Sequence, residues 1–403
     1  MASSSPTINI GTRQSTLAQI QARSVESALK SAFPDRTYAI CPVLAQGDKD
    51  KVTPLQQLSQ GENAKSLWTG ELEAMLEKGE LSFTVNCLKG KLNTHATLQP
   101  VYAQIDAYQL KEPRLTLTPT PTDMPTQLPD NLTIGAILER EDPRDALVVS
   151  PRLPKGTTIA SLPPGSTIGT SSIRRAAQLR RLHPSLAFAD LRGNLGTRLA
   201  KLDAEDSPFA AIILAAAGLK RIGWTDRISQ YLSSDNGGML WAVGQGALAV
   251  EIRKDDEEMK GMLAKIRCER TTRACSAERA LLRALEGGCS VPIGVETSWR
   301  RGKGIATGAE PARDYDKEGQ AVEEEEDLDE QELFIKTIVV SVDGKDYVEF
   351  ETARKVRSIE EAETLGRDVA QILKERGAEA ILEKISRDKQ WDARKKLEQA
   401  AAA

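Results

Sequence analysis

Residues 7–32 read TINIGTRQSTLAQIQARSVESALKSA, and the fold turns on how they are parsed. An apolar strand over residues 7–10 runs into Gly11-Thr12-Arg13-Gln14-Ser15, and a helix follows over about residues 16–32. Strand, glycine-containing turn and helix start form an anion-binding corner, because free backbone N–H groups and the positive end of the helix dipole point the same way. Arg13 and Ser15 stand at its mouth. A single corner of this kind is a fold element and not yet a site.

The same unit recurs along the chain. Residues 38–44 form a second strand, with a turn at Gly47-Asp48-Lys49. Lys65 precedes a helical stretch over 67–78, and a strand over 82–88 ends at Lys89. Strand 132–137 is followed by Glu141-Asp142-Pro143-Arg144-Asp145 and strand 146–150. Beyond the proline-rich run 151–165, TIGTSS (167–172) opens a helix with Arg174 and Arg175 in its first turns. Strand 188–191 leads to Arg192-Gly193-Asn194 and a helix holding Arg198, and the buried strand 210–216 leads to Gly218-Leu219-Lys220-Arg221.

Strands alternating with helices indicate α/β layers with mainly parallel sheets. In such sheets ligands bind beyond the carboxyl ends of the strands. Arg13, Arg174, Arg175, Arg192, Arg198 and Arg221 all follow strands. Arginines are common on any surface, but the repeated placement favours a cleft for a polyanion, since guanidinium forks match carboxylates bidentately. Adjacent cations at a positive helix end are unfavourable alone and need an anionic partner.

Composition narrows the class. A chain of 403 residues, 40% apolar, can bury two or three cores, and a net charge of -4 excludes a generally basic nucleic-acid binder. Five cysteines without a CxxC pair favour a reducing compartment, and two histidines cannot build a His-rich metal site. The start MASSSPTINIG lacks a leader pattern and no run approaches a membrane span, so a cytoplasmic protein is expected.

Toward the carboxyl end, Gly244-Gln245-Gly246-Ala247 before strand 248–252 has the form of a return crossing. Residues 259–283 are helical, with Cys268 and Cys275 expected to be buried. Residues 285–294, LEGGCSVPIG, hold Cys289 behind two glycines and ahead of a proline step. Either the thiol is a small hydrophobe under a turn or it is presented by an exposed one. An α+β tail follows, with a solvated acidic stretch over 310–332 and an amphipathic helix or helix pair over 358–384.

Seven segments together resemble the porphobilinogen deaminase (hydroxymethylbilane synthase) family in a fungal-like form. They are IGTRQSTLAQIQ, GENAKSLWTGELEAMLEKGEL, GAILEREDPRDALVV, IGTSSIRRAAQLRR, DLRGNLGTRLAKLDAEDSPFAAIILAAAGLKRIG, AVGQGALAVEIR and LEGGCSVPIGV. The resemblance implies two periplasmic-binding-protein-like α/β domains around a cleft and a C-terminal α+β domain. Their expected spans are 1–138 with a return segment over about 240–262, then 144–238, then 265–403. It further implies a monomer in which Cys289 carries a dipyrromethane through a thioether. Four porphobilinogens are added head to tail to it with loss of ammonia, and the linear tetrapyrrole is released by hydrolysis. Arg13, Ser15, Lys65, Lys89, Arg174, Arg175, Arg192, Arg198 and Arg221 match the family's carboxylate-binding positions, and no metal is implied. The ligands are porphobilinogen and the growing polypyrrole; neither nucleic acid nor membrane is expected as a partner.

One motif is broken. The family's Val-His-Ser/Cys-Leu-Lys-Asp-Met/Leu-Pro-Thr reads here Val85-Asn86-Cys87-Leu88-Lys89-Gly90, so Asn86 replaces the histidine and Gly90 the acid/base aspartate. Asp123-Met124-Pro125-Thr126 appears later, and removing 90–122 joins Lys89 to Asp123 and restores the motif. That stretch reads as translation of an unspliced intron, the rival being a real insertion that loops out and returns Asp123 to the site. The alternative function is a catalytically silent homologue that binds anionic pyrroles or other small anions.

Overall fold

In a computed structural model, the described residues are 6–44, 69–91, 124–125, 128–285, 291–301 and 328–388. The chain opens with β1 (Ile8–Arg13), α1 (Thr16–Ala32), β2 (Tyr38–Val43), α2 (Gly70–Glu77) and β3 (Phe83–Cys87). Two short strands, β4 (Gly90–Lys91) and β5 (Met124–Pro125), precede β6 (Leu132–Ile137). The Ser15 hydroxyl accepts the Ala18 N–H and caps α1. Ala18, Ala22, Val25 and Leu29 then recur on one face of the helix, and the last three join Ile8, Ile10, Phe83 and Val85 in one core.

A second sheet forms from β7 (Asp145–Val149), β8 (Thr167–Gly169), β9 (Ala187–Ala189), β10 (Ala211–Ala215) and β11 (Gln230–Leu232), in the order β11-β7-β10-β8-β9. Helices α3 (Ile173–Leu182), α4 (Leu195–Asp203) and α5 (Ala216–Arg221) connect and cover it. Ser172 and Asn194 cap α3 and α4 with their side-chain oxygens. Apolar clusters lie on both faces, one around Leu147, Ile168 and Ile213, the other around Val148, Ile212 and Leu214.

The chain then returns as β12 (Leu248–Arg253), which completes the first sheet in the order β2-β1-β3-β12-β6. Each sheet is mainly parallel, as expected, with one reversed strand. β12 runs antiparallel to β3 and β6, and β7 runs antiparallel to β10 and β11. The cause is the double crossing between the sheets, because a strand entered from the neighbouring unit arrives in the opposite direction. The crossings touch where Gln245 Nε2 donates to the Pro143 carbonyl at 2.7 Å and the Glu141 N–H to the Gly246 carbonyl at 3.3 Å. Gly246 has φ +89°, and a Cβ there would overlap the Glu141 carbonyl. Only glycine lets the two crossings lie this close.

Helices α6 (Glu257–Leu263) and α7 (Glu269–Ala284) lead to an antiparallel meander of β13 (Ile293–Arg301), β14 (Gln331–Val340) and β15 (Tyr347–Lys355), followed by α8 (Ile359–Glu375). Helical structure resumes at residue 378, as expected for a helix pair. Cys275 is buried, whereas Cys268 is half-buried at the start of α7, so the expectation for Cys268 is corrected. The acidic run lies outside the described residues except from residue 328 onward. The architecture is two α/β units plus a third α+β unit, as the sequence implies.

Glu278 on α7 ties the third unit to both crossings. Its buried carboxylate accepts from Arg140 Nη1 at 2.7 Å and Nη2 at 3.1 Å, from the Gly244 N–H at 2.7 Å and from Thr297 Oγ1 at 2.6 Å. Removing one partner of such a pair leaves a charge buried without compensation, at a cost of about 3–5 kcal/mol. Arg140→Ala is therefore expected to lower unfolding stability by that amount in urea titration, and a loss below about 1 kcal/mol would contradict the assignment.

Candidate anion-binding cleft

The strand ends deliver the site. β3 runs through buried Leu88 to Lys89, and β8 leads through Ser172 into α3, whose first turn carries Arg174 and Arg175. Both arginines are buried, at 6% and 3% exposure. Between them lies Asp145, the first residue of β7, itself 1% exposed. Arg175 donates to Asp145 Oδ1 from Nε at 3.0 Å and Nη2 at 2.7 Å, and Gln245 Nε2 adds a third donor at 2.9 Å. Arg174 Nη1 stands 2.8 Å from Oδ2 as an ion pair and donates to the Leu240 carbonyl at 2.6 Å.

Burial opposes ionisation of Asp145, yet Arg174, Arg175 and Lys89 hold its carboxyl well below the usual carboxylate range. The cations are correspondingly crowded. Burial and the guanidinia of Arg175 and Arg174 push Lys89 down to about 7. Burial and Arg175 push Arg198 down to about 10. Lys89, Arg174 and Arg175 thus share one carboxylate, and the buried Nη2 of Arg174 has no hydrogen-bond partner among the described residues. A buried excess of positive charge with an orphaned guanidinium N–H fits an anionic group bearing carboxylates.

The remaining expected positions divide. Arg198 belongs to the cluster electrostatically and donates from Nε to the Gly193 carbonyl at 2.7 Å. Arg192, on the same β9–α4 loop, pairs with Asp190 at 2.6 Å. Arg221 is turned toward the crossing at Gly246, and Ser15 caps α1. Arg13 ends β1 half-buried. Lys65, Asp123 and Cys289 lie outside the described residues, as do residues 92–122 of the interrupting stretch.

The flanks of that stretch are described, and they meet. β4 and β5 pair in parallel, with Gly90 opposite Met124 and Lys91 opposite Pro125. Met124 is fully buried among Leu88, Ile137, Ala247, Ala249 and Cys275, and Arg279 Nη2 donates to the Pro125 carbonyl at 2.9 Å. Sequence reasoning missed Asp145 and Gln245. The sequence did contain a signal for Asp145, since the paired arginines needed an anion, but the aspartate was assigned to the turn before β7.

Two α/β units closing on one buried cationic cluster, with a third unit locked to their crossings, define a two-domain binding scaffold for a carboxylate-bearing ligand. Comparison with known proteins narrows this. The family model for the porphobilinogen deaminase dipyromethane cofactor binding domain matches residues 8–105 and 119–261, and the model for the porphobilinogen deaminase C-terminal domain matches 272–306. The chain is 40% identical to the porphobilinogen deaminase of Neurospora crassa over 96% of each chain, and 41% identical to that of Yarrowia lipolytica over 94% of each. The Nostoc sp. protein of the same name is 38% identical over 94% of each. This chain belongs to the porphobilinogen deaminase family. The gap in the family match, 106–118, falls within the stretch that interrupts the motif.

The depressed Asp145 sets a pH-dependent expectation. Its contribution to stability is present above the unfolded carboxyl value and fades as pH falls toward the folded one. Asp145→Asn should cost about 3–5 kcal/mol at neutral pH, with the gap to wild type narrowing below about pH 4. Urea unfolding across pH would contradict this if the gap were unchanged down to acid.

Proposed function

We infer that this chain is a hydroxymethylbilane synthase, joining four porphobilinogens head to tail with release of ammonia in tetrapyrrole biosynthesis. The observation that carries the reading is the trio of half-buried Lys89 and buried Arg174 and Arg175 around a single Asp145. Each substrate pyrrole bears an acetate and a propionate, and every addition brings more negative charge into the cleft. Arg174 offers its unpartnered Nη2 to one such carboxylate. Lys89, Arg175 and Arg198 complete the inner wall, and Arg13, Ser15, Lys65, Arg192 and Arg221 are proposed to extend it. Dipyrromethane, when bound through Cys289, supplies the primer to which the first pyrrole is joined.

Asp123 is the proposed acid/base. It directly precedes Met124, whose backbone pairs with Gly90 next to Lys89. This pairing supports the reading in which the interrupting stretch loops out from a closed neck, so that an Asp follows the Lys89 end in space as it does in sequence elsewhere in the family. A carboxylate there would assist loss of the amino group, stabilise the developing pyrrole cation and take up the proton released on coupling. We further propose a cytoplasmic monomer whose three units coincide with 1–138 plus a return segment over about 240–262, 144–238 and 265–403. Among the described residues no cysteine is joined in a disulfide, and no helix is long and apolar enough to cross a membrane.

Purified protein should colour with acidic Ehrlich reagent, and Cys289→Ser should abolish both the colour and turnover of porphobilinogen. Full turnover in Cys289→Ser would refute the anchor, while colour in the wild type without uroporphyrin formation would indicate assembly without turnover. Asp123→Asn should lose roughly 10²–10⁴-fold in rate with the colour retained. Deleting residues 90–122 should leave the rate equal or higher; a folded deletion variant that turns over more slowly would count against the proposed join of Lys89 to Asp123.

A further inference from the structure

Behind β3, on the face away from α1, the sheet buries polar side chains where apolar ones would ordinarily pack. Thr84 and Asn86 point to this face, 0% and 2% exposed, and Glu251 of β12 lies opposite Thr84 in the register, also 0% exposed. Asn86 Nδ2 donates to Thr84 Oγ1 at 3.1 Å, and Thr84 Oγ1 donates to Glu251 Oε2 at 3.3 Å. Asn86 Oδ1 and Glu251 Oε1 are buried without a hydrogen-bond partner, and so is Oε1 of Glu73, which α2 brings up to Glu251. The charged groups facing Glu251 are Glu73 and Glu77 from α2 and Arg279 from α7, and on its own strand Arg253 turns away to Asp256.

A hydroxyl has one proton to give, so this chain of bonds has a direction. With Glu251 ionised, Thr84 gives its proton to the carboxylate and accepts from the Asn86 amide nitrogen, leaving Oδ1 bare. With Glu251 neutral and its proton on Oε2, the carboxyl O–H occupies Thr84, and the threonine proton turns toward Asn86. That proton needs an acceptor, so the amide must rotate by half a turn and present Oδ1. The atom of Asn86 facing away from Thr84 then changes from acceptor to donor.

We propose that Glu251 is a positioning residue whose protonation sets the orientation of the Asn86 amide on the strand leading to Lys89. Asn86 stands where the family motif has a histidine, so the arrangement belongs to this chain. Burial and the facing Glu73 carboxyl push Glu251 up to about 8, which makes both orientations accessible at ordinary pH. The proposal does not depend on turnover.

The direct test is NMR of protein labelled with ¹⁵N in asparagine side chains, the Asn86 signal being assigned by its loss in Asn86→His. Titrated from about pH 6 to about pH 9.5, the Asn86 amide pair should move with a midpoint near 8. In Glu251→Gln it should be flat, and in Glu73→Gln, which removes a facing negative charge, the midpoint should fall. A flat wild-type signal, an unchanged titration in Glu251→Gln or an unchanged midpoint in Glu73→Gln would each overturn the proposal. If Glu251→Gln does not fold, the wild-type and Glu73→Gln titrations still decide it. A raised carboxyl contributes stability below its unfolded value that is lost as pH rises through the folded one. The wild-type melting temperature should therefore fall more steeply toward pH 9 than that of Glu73→Gln, and an equal slope would count against Glu73 facing Glu251.

Discussion

One carboxylate holds the cleft together. Asp145 sits between Arg174 and Arg175, within the field of half-buried Lys89, and the carboxylate and both guanidinia are withdrawn from water. Without it, three cations would crowd at the mouth of α3, where the helix dipole already repels them. With it, the cluster is stable enough to fold yet still short of negative charge. Gln245 links the same carboxylate to the second crossing, so the anion site and the connection between the two α/β units share a residue. A ligand that brings carboxylates into the cleft therefore acts on the place where the units meet.

The third unit is fastened to that place by different means. Glu278 accepts from the first crossing through Arg140, from the second through Gly244 and from β13 through Thr297. Two buried carboxylates thus organise the interior, one for the ligand and one for the scaffold. Both are matched by buried cations, as buried charges must be: Asp145 by Arg174 and Arg175, Glu278 by Arg140. Glu251 differs in having a second carboxyl beside it and no ion pair among the described residues, and its environment favours the neutral acid.

Much of this was legible in the sequence because it is local. Ser15, Ser172 and Asn194 announce their helices by capping them, and the arginines after each strand follow the geometry of α/β corners. The reversal of β7 and β12 was not legible, since they owe it to the double crossing and not to their own residues. Nor was the partner of the arginine pair, because Asp145 lies 30 residues from Arg175 in sequence and reaches it only through the sheet order. The Thr84–Glu251 contact spans 167 residues, and nothing in either local stretch signals it. The interrupted motif was readable as a break, while the pairing of Gly90 with Met124 that closes its neck emerges only in three dimensions.

The central claim is that Lys89 and its arginines form a buried cation excess awaiting a carboxylate. Lys89, held near 7, is largely neutral at about pH 8, and a bound carboxylate would return it to the charged form. Calorimetric titration with a pyrrole bearing acetate and propionate but no aminomethyl group, in buffers of differing ionisation enthalpy, measures this directly. The account predicts net proton uptake on binding at about pH 8 that disappears in Lys89→Met. Binding without proton uptake, or with the same uptake in Lys89→Met, would contradict it.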